Sequence, residues 1–257
     1  MTDIAIRTQG GGPPLLLLHA FPLHAGMWEP QSVLAAQMTL LTLDLPGFGE
    51  SAGAAPLDDL DELAAMIAAR VRALGFAQCA IAGCSMGGYL AFALLRVAPE
   101  LIRGLAFIDT KAAADSAQVR ERRYASIARV EREGAGFLRD EWPPSALSPK
   151  TLREQPHVVD ATRALVARAT AAGVVAALRA MARRPDATPQ LAAIRVPALV
   201  IHGEDDPLIP LAEAQQMARS IGAASFVRVD GAGHLPNMEH PEAVNSALAA
   251  LLRRCAG

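Results

Sequence analysis

The segment Gly83-Cys84-Ser85-Met86-Gly87-Gly88 restricts the architecture more than any other part of the chain. An apolar run at 79–82 leads into it, and a helix-like stretch at 88–97 leads out. A G-x-S-x-G sequence between a strand and a helix describes a tight turn. Its glycines let neighbouring backbones crowd together, and its central serine stands out above a sheet. That serine also lies at the positive end of the following helix. Cys84 is the rival nucleophile by residue type, but the turn selects its central position, so Cys84 is expected to pack into the fold.

The same strand–helix rhythm runs along the rest of the chain. Short apolar runs at 15–18, 39–43, 105–108, 198–201 and 226–229 stop at turn or polar residues. They lack in–out alternation, which suits strands buried on both faces of a parallel sheet. Helical patterns at 57–74, 88–97, 211–220 and 241–254 lie between or after them. In the first, Leu60, Leu63, Ile67, Val71 and Leu74 share one face at helical spacing. This predicts a right-handed, doubly wound, mostly parallel α/β sheet. Residues 4–8 supply a single strand ahead of 15–18.

From about 112 to 188 the pattern is helical only, punctuated by Pro143-Pro144, Pro149, Pro156 and Gly173, and it reads as an insertion between two sheet strands. Residues 111–186 hold 14 basic and 9 acidic side chains, and the remainder holds 10 and 17. Either these arginines pair along solvated helix faces, or they form a cationic cap over the active edge that favours anionic substrates.

Composition removes other classes. A 257-residue chain with 52% hydrophobic residues can bury a core without staples. Its three cysteines, with no C-x-x-C pair, fit no disulfide framework and suit a reducing, cytoplasmic setting. A net charge of −2 gives no general attraction to nucleic acid. The apolar run at 15–18 is far short of a bilayer span and no signal-peptide pattern opens the chain, so no membrane association is expected. There is no Walker-type loop, no G-x-G-x-x-G after a strand and no metal-ligand spacing, so neither cofactor nor metal is implied.

A serine needs a base, itself oriented by a third group. His234, in the glycine-rich loop Gly231-Ala232-Gly233 after the last strand, is the expected base. His202 ends a strand and reads as a packed core residue, and His19 as a brace between loops. His24 and His157 are expected to be partly exposed, and His240 precedes a helix start. For the acid, Asp205 and Asp206 compete in the turn after 198–201, with Asp109, after the preceding strand, as a third possibility. Two backbone N–H donors should receive the developing oxyanion, one from Met86 and one from Phe21 in the loop after 15–19. Phe21, Leu23, Trp28 and Leu235 are the candidates for the pocket wall.

Taken in chain order, His19-Ala20-Phe21-Pro22, Asp44-Leu45-Pro46-Gly47-Phe48-Gly49-Glu50-Ser51, the 83–88 turn, the 203–210 turn and Gly233-His234 resemble the α/β-hydrolase superfamily across nearly the whole chain. The resemblance implies an α/β-hydrolase fold with a helical cap inserted after the sixth family strand. The core would then be 1–111 and 188–257, and the cap 112–187. It favours Asp206 over Asp205, making Ser85, Asp206 and His234 a triad with Phe21 and Met86 as oxyanion donors. The stretch from Gly233 to Glu242 looks most like the branch of 3-oxoadipate enol-lactonase-like esterases and cofactor-free haloperoxidase-like enzymes. Ala20 stands where that family usually has glycine, which bears on the backbone freedom of the oxyanion loop. A serine nucleophile sets aside the haloalkane dehalogenase and epoxide hydrolase branches, which need a carboxylate there. The expected activity is hydrolysis of a small carboxylic ester or lactone by a monomer or small homo-oligomer. Perhydrolysis, hydrolysis of a carbon–carbon bond, and ligand binding without catalysis are the alternatives.

Overall fold

The apolar runs assemble into one sheet. In the computed structural model, which describes residues 4–222 and 224–255, the strands are β1 Ile6–Gly10, β2 Pro14–Leu18, β3 Thr39–Leu43, β4 Cys79–Cys84, β5 Ile102–Ile108, β6 Ala198–Gly203 and β7 Ala224–Val229. Their order is β1-β3-β2-β4-β5-β6-β7. Every neighbouring pair is parallel except β1 with β3. The fold is therefore the expected α/β-hydrolase arrangement, a mostly parallel sheet with helices on both faces.

Side chains divide by the two-residue period of a strand. Leu16, Leu18, Ile81, Leu105, Phe107 and Val200 enter one apolar layer. Leu15, Leu17, Ala82, Ala106, Ile108 and Ile201 enter the other. The helices α1 Leu60–Ala73, α2 Met86–Val97 and α8 Leu211–Ser220 lie on the first face. The second is covered by a run of 3-10 turns at Ala25–Ala36 and by α10 Pro241–Cys255, which follows the short α9 Pro236–Glu239. One expectation fails at the edge. β7 is not buried on both faces, because it has a strand neighbour on one side only and most of its residues are partly or fully exposed. Helix α1 also starts later than the expected stretch 57–74, at the first residue of its apolar face. The Asp59 carboxylate accepts from Asp61 N–H at 2.8 Å and Glu62 N–H at 3.1 Å and so caps the helix at Leu60.

Between β5 and β6 lie five helices: α3 Ala117–Glu133, α4 Leu138–Ala146, α5 Pro149–Glu154, α6 Pro156–Val166 and α7 Ala171–Arg183. Ser116, Ser148 and Thr170 cap three of them. Pro149 and Pro156 open α5 and α6, where a missing N–H costs nothing. Among the described residues no helix is long and apolar enough to cross a membrane.

Backbone contacts tie this helical segment to the sheet. The Thr170 N–H donates to the Gly47 carbonyl at 2.9 Å, and the His234 N–H donates to the Ala146 carbonyl at 2.8 Å. Glu239, only 3% exposed, completes the attachment. One carboxylate oxygen accepts from Gly233 N–H at 3.0 Å and Leu235 N–H at 3.1 Å, and the other from Ser148 N–H at 2.9 Å. A buried carboxylate is tolerable when such donors meet its charge. Glu239→Gln places an amide N–H against one of these donors, so unfolding free energy in urea should fall by about 1–3 kcal/mol. An unchanged midpoint would show that the clamp carries no energy.

Candidate active site

Ser85 connects the end of β4 to the start of α2 with φ 52° and ψ −111°. A non-glycine residue held there costs about 1–3 kcal/mol, so the surroundings must over-determine it. They do so from β5: Ser85 N–H donates to the Ile108 carbonyl at 2.8 Å, and the Thr110 hydroxyl donates to the Ser85 carbonyl at 2.8 Å. The flanking glycines are required by close approach. A methyl group at Gly83 would collide with the Gly87 carbonyl, and one at Gly87 with the Leu18 carbonyl. Cys84 is buried as expected, its Sγ 3.7 Å from the His234 carbonyl oxygen. Burial pushes its thiol well up, with the nearby Asp109 and Asp206 adding to the effect, so it stays protonated.

His234, 2% exposed, lies beyond β7, and its Nδ1 is 2.8 Å from Asp206 Oδ2. A carboxylate can only accept, so Nδ1 carries the proton and Nε2 is left with its lone pair. Asp206 Oδ1 accepts from Leu208 N–H at 2.8 Å and Ile209 N–H at 3.2 Å, which fixes the carboxylate plane. Burial alone would raise the Asp206 carboxyl. The facing His234 and the backbone donors outweigh it and hold the group below the usual carboxylate range. Asp205 is exposed and takes no part in this pair.

The remaining histidines sort by their partners. His202 is fully buried, with Nε2 3.0 Å from the Ile209 carbonyl oxygen. His19 braces two loops: its Nδ1 is 3.0 Å from the Ala20 carbonyl oxygen, and its Nε2 accepts from Leu45 N–H at 3.1 Å. Burial pushes the His19 imidazole down to about 4, which keeps it neutral. His24 departs from its expected exposure. It is buried because its Nδ1 accepts from Gly26 N–H at 3.1 Å, capping the 3-10 segment. His157 is exposed and His240 partly buried.

Met86 is the first residue of α2, so its N–H has no acceptor within the helix. Phe21 follows β2 and lines the same cavity as Ser85 and His234. The substitution at Ala20 introduces no strain, because among the described residues only Ser85 and Asp109 combine positive φ with a side chain. The Ala20 carbonyl is instead fixed by Leu23 N–H at 2.9 Å and by His19.

That cavity measures about 310 Å³. Of the expected wall residues only Phe21 borders it. Leu23, Trp28 and Leu235 are packed in the second apolar layer instead. The wall comes from side chains that no short motif marks: Trp142, Leu178 and Met181 from the helical segment, and Leu208 from the loop after β6. Nor is the wall purely apolar, since Lys111, Arg122, Arg123 and Asp115 also line it. Asp115 bonds Arg123 at 2.6 Å and Arg184 at 2.8 Å, and this pairing with two guanidinium groups outweighs burial and holds its carboxyl low. Arg122 forms no ion pair among the described residues. Other arginines of the segment pair on its outer surface, as Arg129 does with Glu141 at 2.7 Å and Arg179 with Glu131 at 2.9 Å.

Comparison with known proteins gives the family. A model of the alpha/beta hydrolase family matches residues 15–247. A dihydrolipoyllysine-residue acetyltransferase component of the acetoin cleaving system of Pseudomonas putida is 32% identical over 95% of this chain, which spans 64% of that protein. The 3-oxoadipate enol-lactonase 2 of Acinetobacter baylyi is 27% identical over 96% of this chain and 91% of its own length. Among solved structures, a thermophilic esterase from Thermogutta terrifontis, with malate bound, superposes with a TM-score of 0.95 at 38% identity, covering 99% of this chain and 94% of that one. The elbow, the buried acid–histidine pair and the sheet order thus occur in a chain that belongs to the alpha/beta hydrolase family.

Proposed function

We propose that this hydrolase cleaves a small carboxylic ester or lactone through an acyl-enzyme on Ser85. The observation that carries the reading is the shared cavity. Ser85, on its constrained turn, and His234, bonded to Asp206 at 2.8 Å, both border it. The esterase and enol-lactonase likenesses support the same chemistry.

As Ser85 Oγ attacks the carbonyl carbon, its proton passes to His234 Nε2, and the carbonyl π electrons move onto oxygen. The Met86 and Phe21 N–H groups receive that oxyanion, a stabilisation worth about 3–4 kcal/mol per donor in comparable sites. Asp206 stabilises the imidazolium without taking its proton. When the tetrahedral centre collapses, His234 gives the proton to the leaving alkoxide, which for a lactone stays tethered as the new hydroxyl. Water, deprotonated by His234, then releases the acid. In this reading the helical segment 112–187 is a cap over the core, 1–111 and 188–257. Because Lys111, Arg122 and Arg123 outnumber Asp115 in the wall, the preferred substrate carries a negative charge.

An activated phosphonate should add one label to the native chain and none to Ser85→Ala, whose kcat on p-nitrophenyl acetate should fall by about 10⁴-fold or more. A Ser85→Ala chain that turns over normally would sink the mechanism.

For the charge preference, Arg122→Gln should raise KM for a hemisuccinate ester by about 5–50-fold and leave a neutral ester of equal length within about twofold. Equal effects on both esters would place Arg122 outside substrate recognition.

A further inference from the structure

Asp109 is a buried acid that this mechanism does not use. It follows β5 with φ 42°, is 0% exposed, and its backbone N–H donates to the Ile201 carbonyl at 3.0 Å. Its Oδ1 accepts from Gly203 N–H at 2.9 Å and lies 3.5 Å from His202 Nδ1, while Oδ2 is buried without a hydrogen-bond partner. One oxygen of Asp109, one of Asp206 and a ring nitrogen of His234 all lie within 4.8 Å of one another. Two carboxylates this close in a dry site cannot both hold charge. Asp206, with His234 and two backbone donors, is the one that ionises.

Apart from the Gly203 N–H, the groups facing Asp109 favour its neutral form. Asp206 and Glu239 are acidic, the Cys84 thiol is protonated, and His202, whose Nε2–H is committed to the Ile209 carbonyl, offers only a lone pair at Nδ1. Burial, with the Asp206 charge next, pushes the Asp109 carboxyl well above the usual range. Its proton has two acceptors nearby, the Asp206 carboxylate and His202 Nδ1.

We propose that Asp109 is a reserve acid for His234: a neutral positioning group while Asp206 is present, and the carboxylate that orients the imidazole when Asp206 is removed. This rests on the Ser85–His234 reading above. Without Asp206 the repulsion disappears, the Asp109 proton leaves to solvent, and the freed carboxylate accepts from His234 Nδ1–H. In the native chain Asp109→Asn preserves an N–H donor toward Asp206, because an amide mimics the neutral acid there but cannot become an anion.

The test is a double-mutant cycle on p-nitrophenyl acetate, with a cooperative urea transition reporting that each variant is folded. Asp206→Ala should keep kcat within about 100-fold of the native value, and adding Asp109→Asn should remove about another 100-fold, although Asp109→Asn alone costs less than about tenfold. The acid limb of the Asp206→Ala pH profile should move to higher pH, because Asp109 must then ionise, and that shift should be absent in the double variant, a change that a merely structural Asp109 would not produce. Asp206→Ser, which can still accept from Leu208 and Ile209, repeats the comparison if the alanine variant loses its fold. If Asp206→Ala is as inactive as the double variant while Ser85 remains the labelled nucleophile, the reserve role alone falls. An active Ser85→Ala chain would overturn both readings.

Discussion

The backbone at Ser85 occupies a region that an L-residue reaches only at a cost, and the neighbouring packing leaves it no relaxed alternative. Its N–H and carbonyl are held by Ile108 and Thr110 at the end of β5. The turn can approach β2 only because Gly87 offers no side chain toward Leu18. Three adjacent strands therefore fix one residue. Strain of this kind persists when several rigid elements share it, which places Ser85 on the sheet instead of on a mobile loop. Every other distance in the site is measured from that fixed point.

Three of the carboxylates that the fold buries around it are each stabilised differently. Asp206 keeps its charge because His234 and two backbone donors face it. Glu239 has three backbone N–H donors. Asp109 has one such donor, and its burial with the Asp206 charge beside it pushes its carboxyl well above the usual range. The sequence of losses is physical: an acid in a dry site is charged in proportion to the donors aimed at it. The same accounting makes the histidine loop rigid, since the donors on Glu239 are the residues on either side of His234.

Much of this was legible in the residues themselves. The elbow, the parallel strands and the serine–acid–histidine order depend on short stretches in which each residue constrains its neighbour, so local pattern is enough to single out Ser85 and His234 as candidates. The choice between Asp205 and Asp206 could not, because both lie in one turn and only the direction of the chain after β6 separates an exposed carboxylate from a buried one. Leu23, Trp28 and Leu235 were misplaced for a related reason. Proximity in sequence to a catalytic loop says nothing about which face of the sheet a side chain enters, and these three enter the apolar layer. Glu239 carried no comparable signal, because its three partners, Ser148, Gly233 and Leu235, lie in two separate segments and only the fold brings them together.

The charge of the helical segment shows where composition stops being informative. A surplus of basic residues over 111–186 describes the segment as a whole, yet a field at the active site depends on which cations remain unneutralised and face inward. Outer pairs such as Arg129–Glu141 and Arg179–Glu131 contribute little there, being exposed and screened. Asp115 occupies Arg184 and half-neutralises Arg123 within the wall. Lys111 has Glu213 at 3.8 Å. Of the cations lining the cavity, Arg122 is the one with no ion pair among the described residues, so a segment-wide count reduces to the position of one side chain on α3.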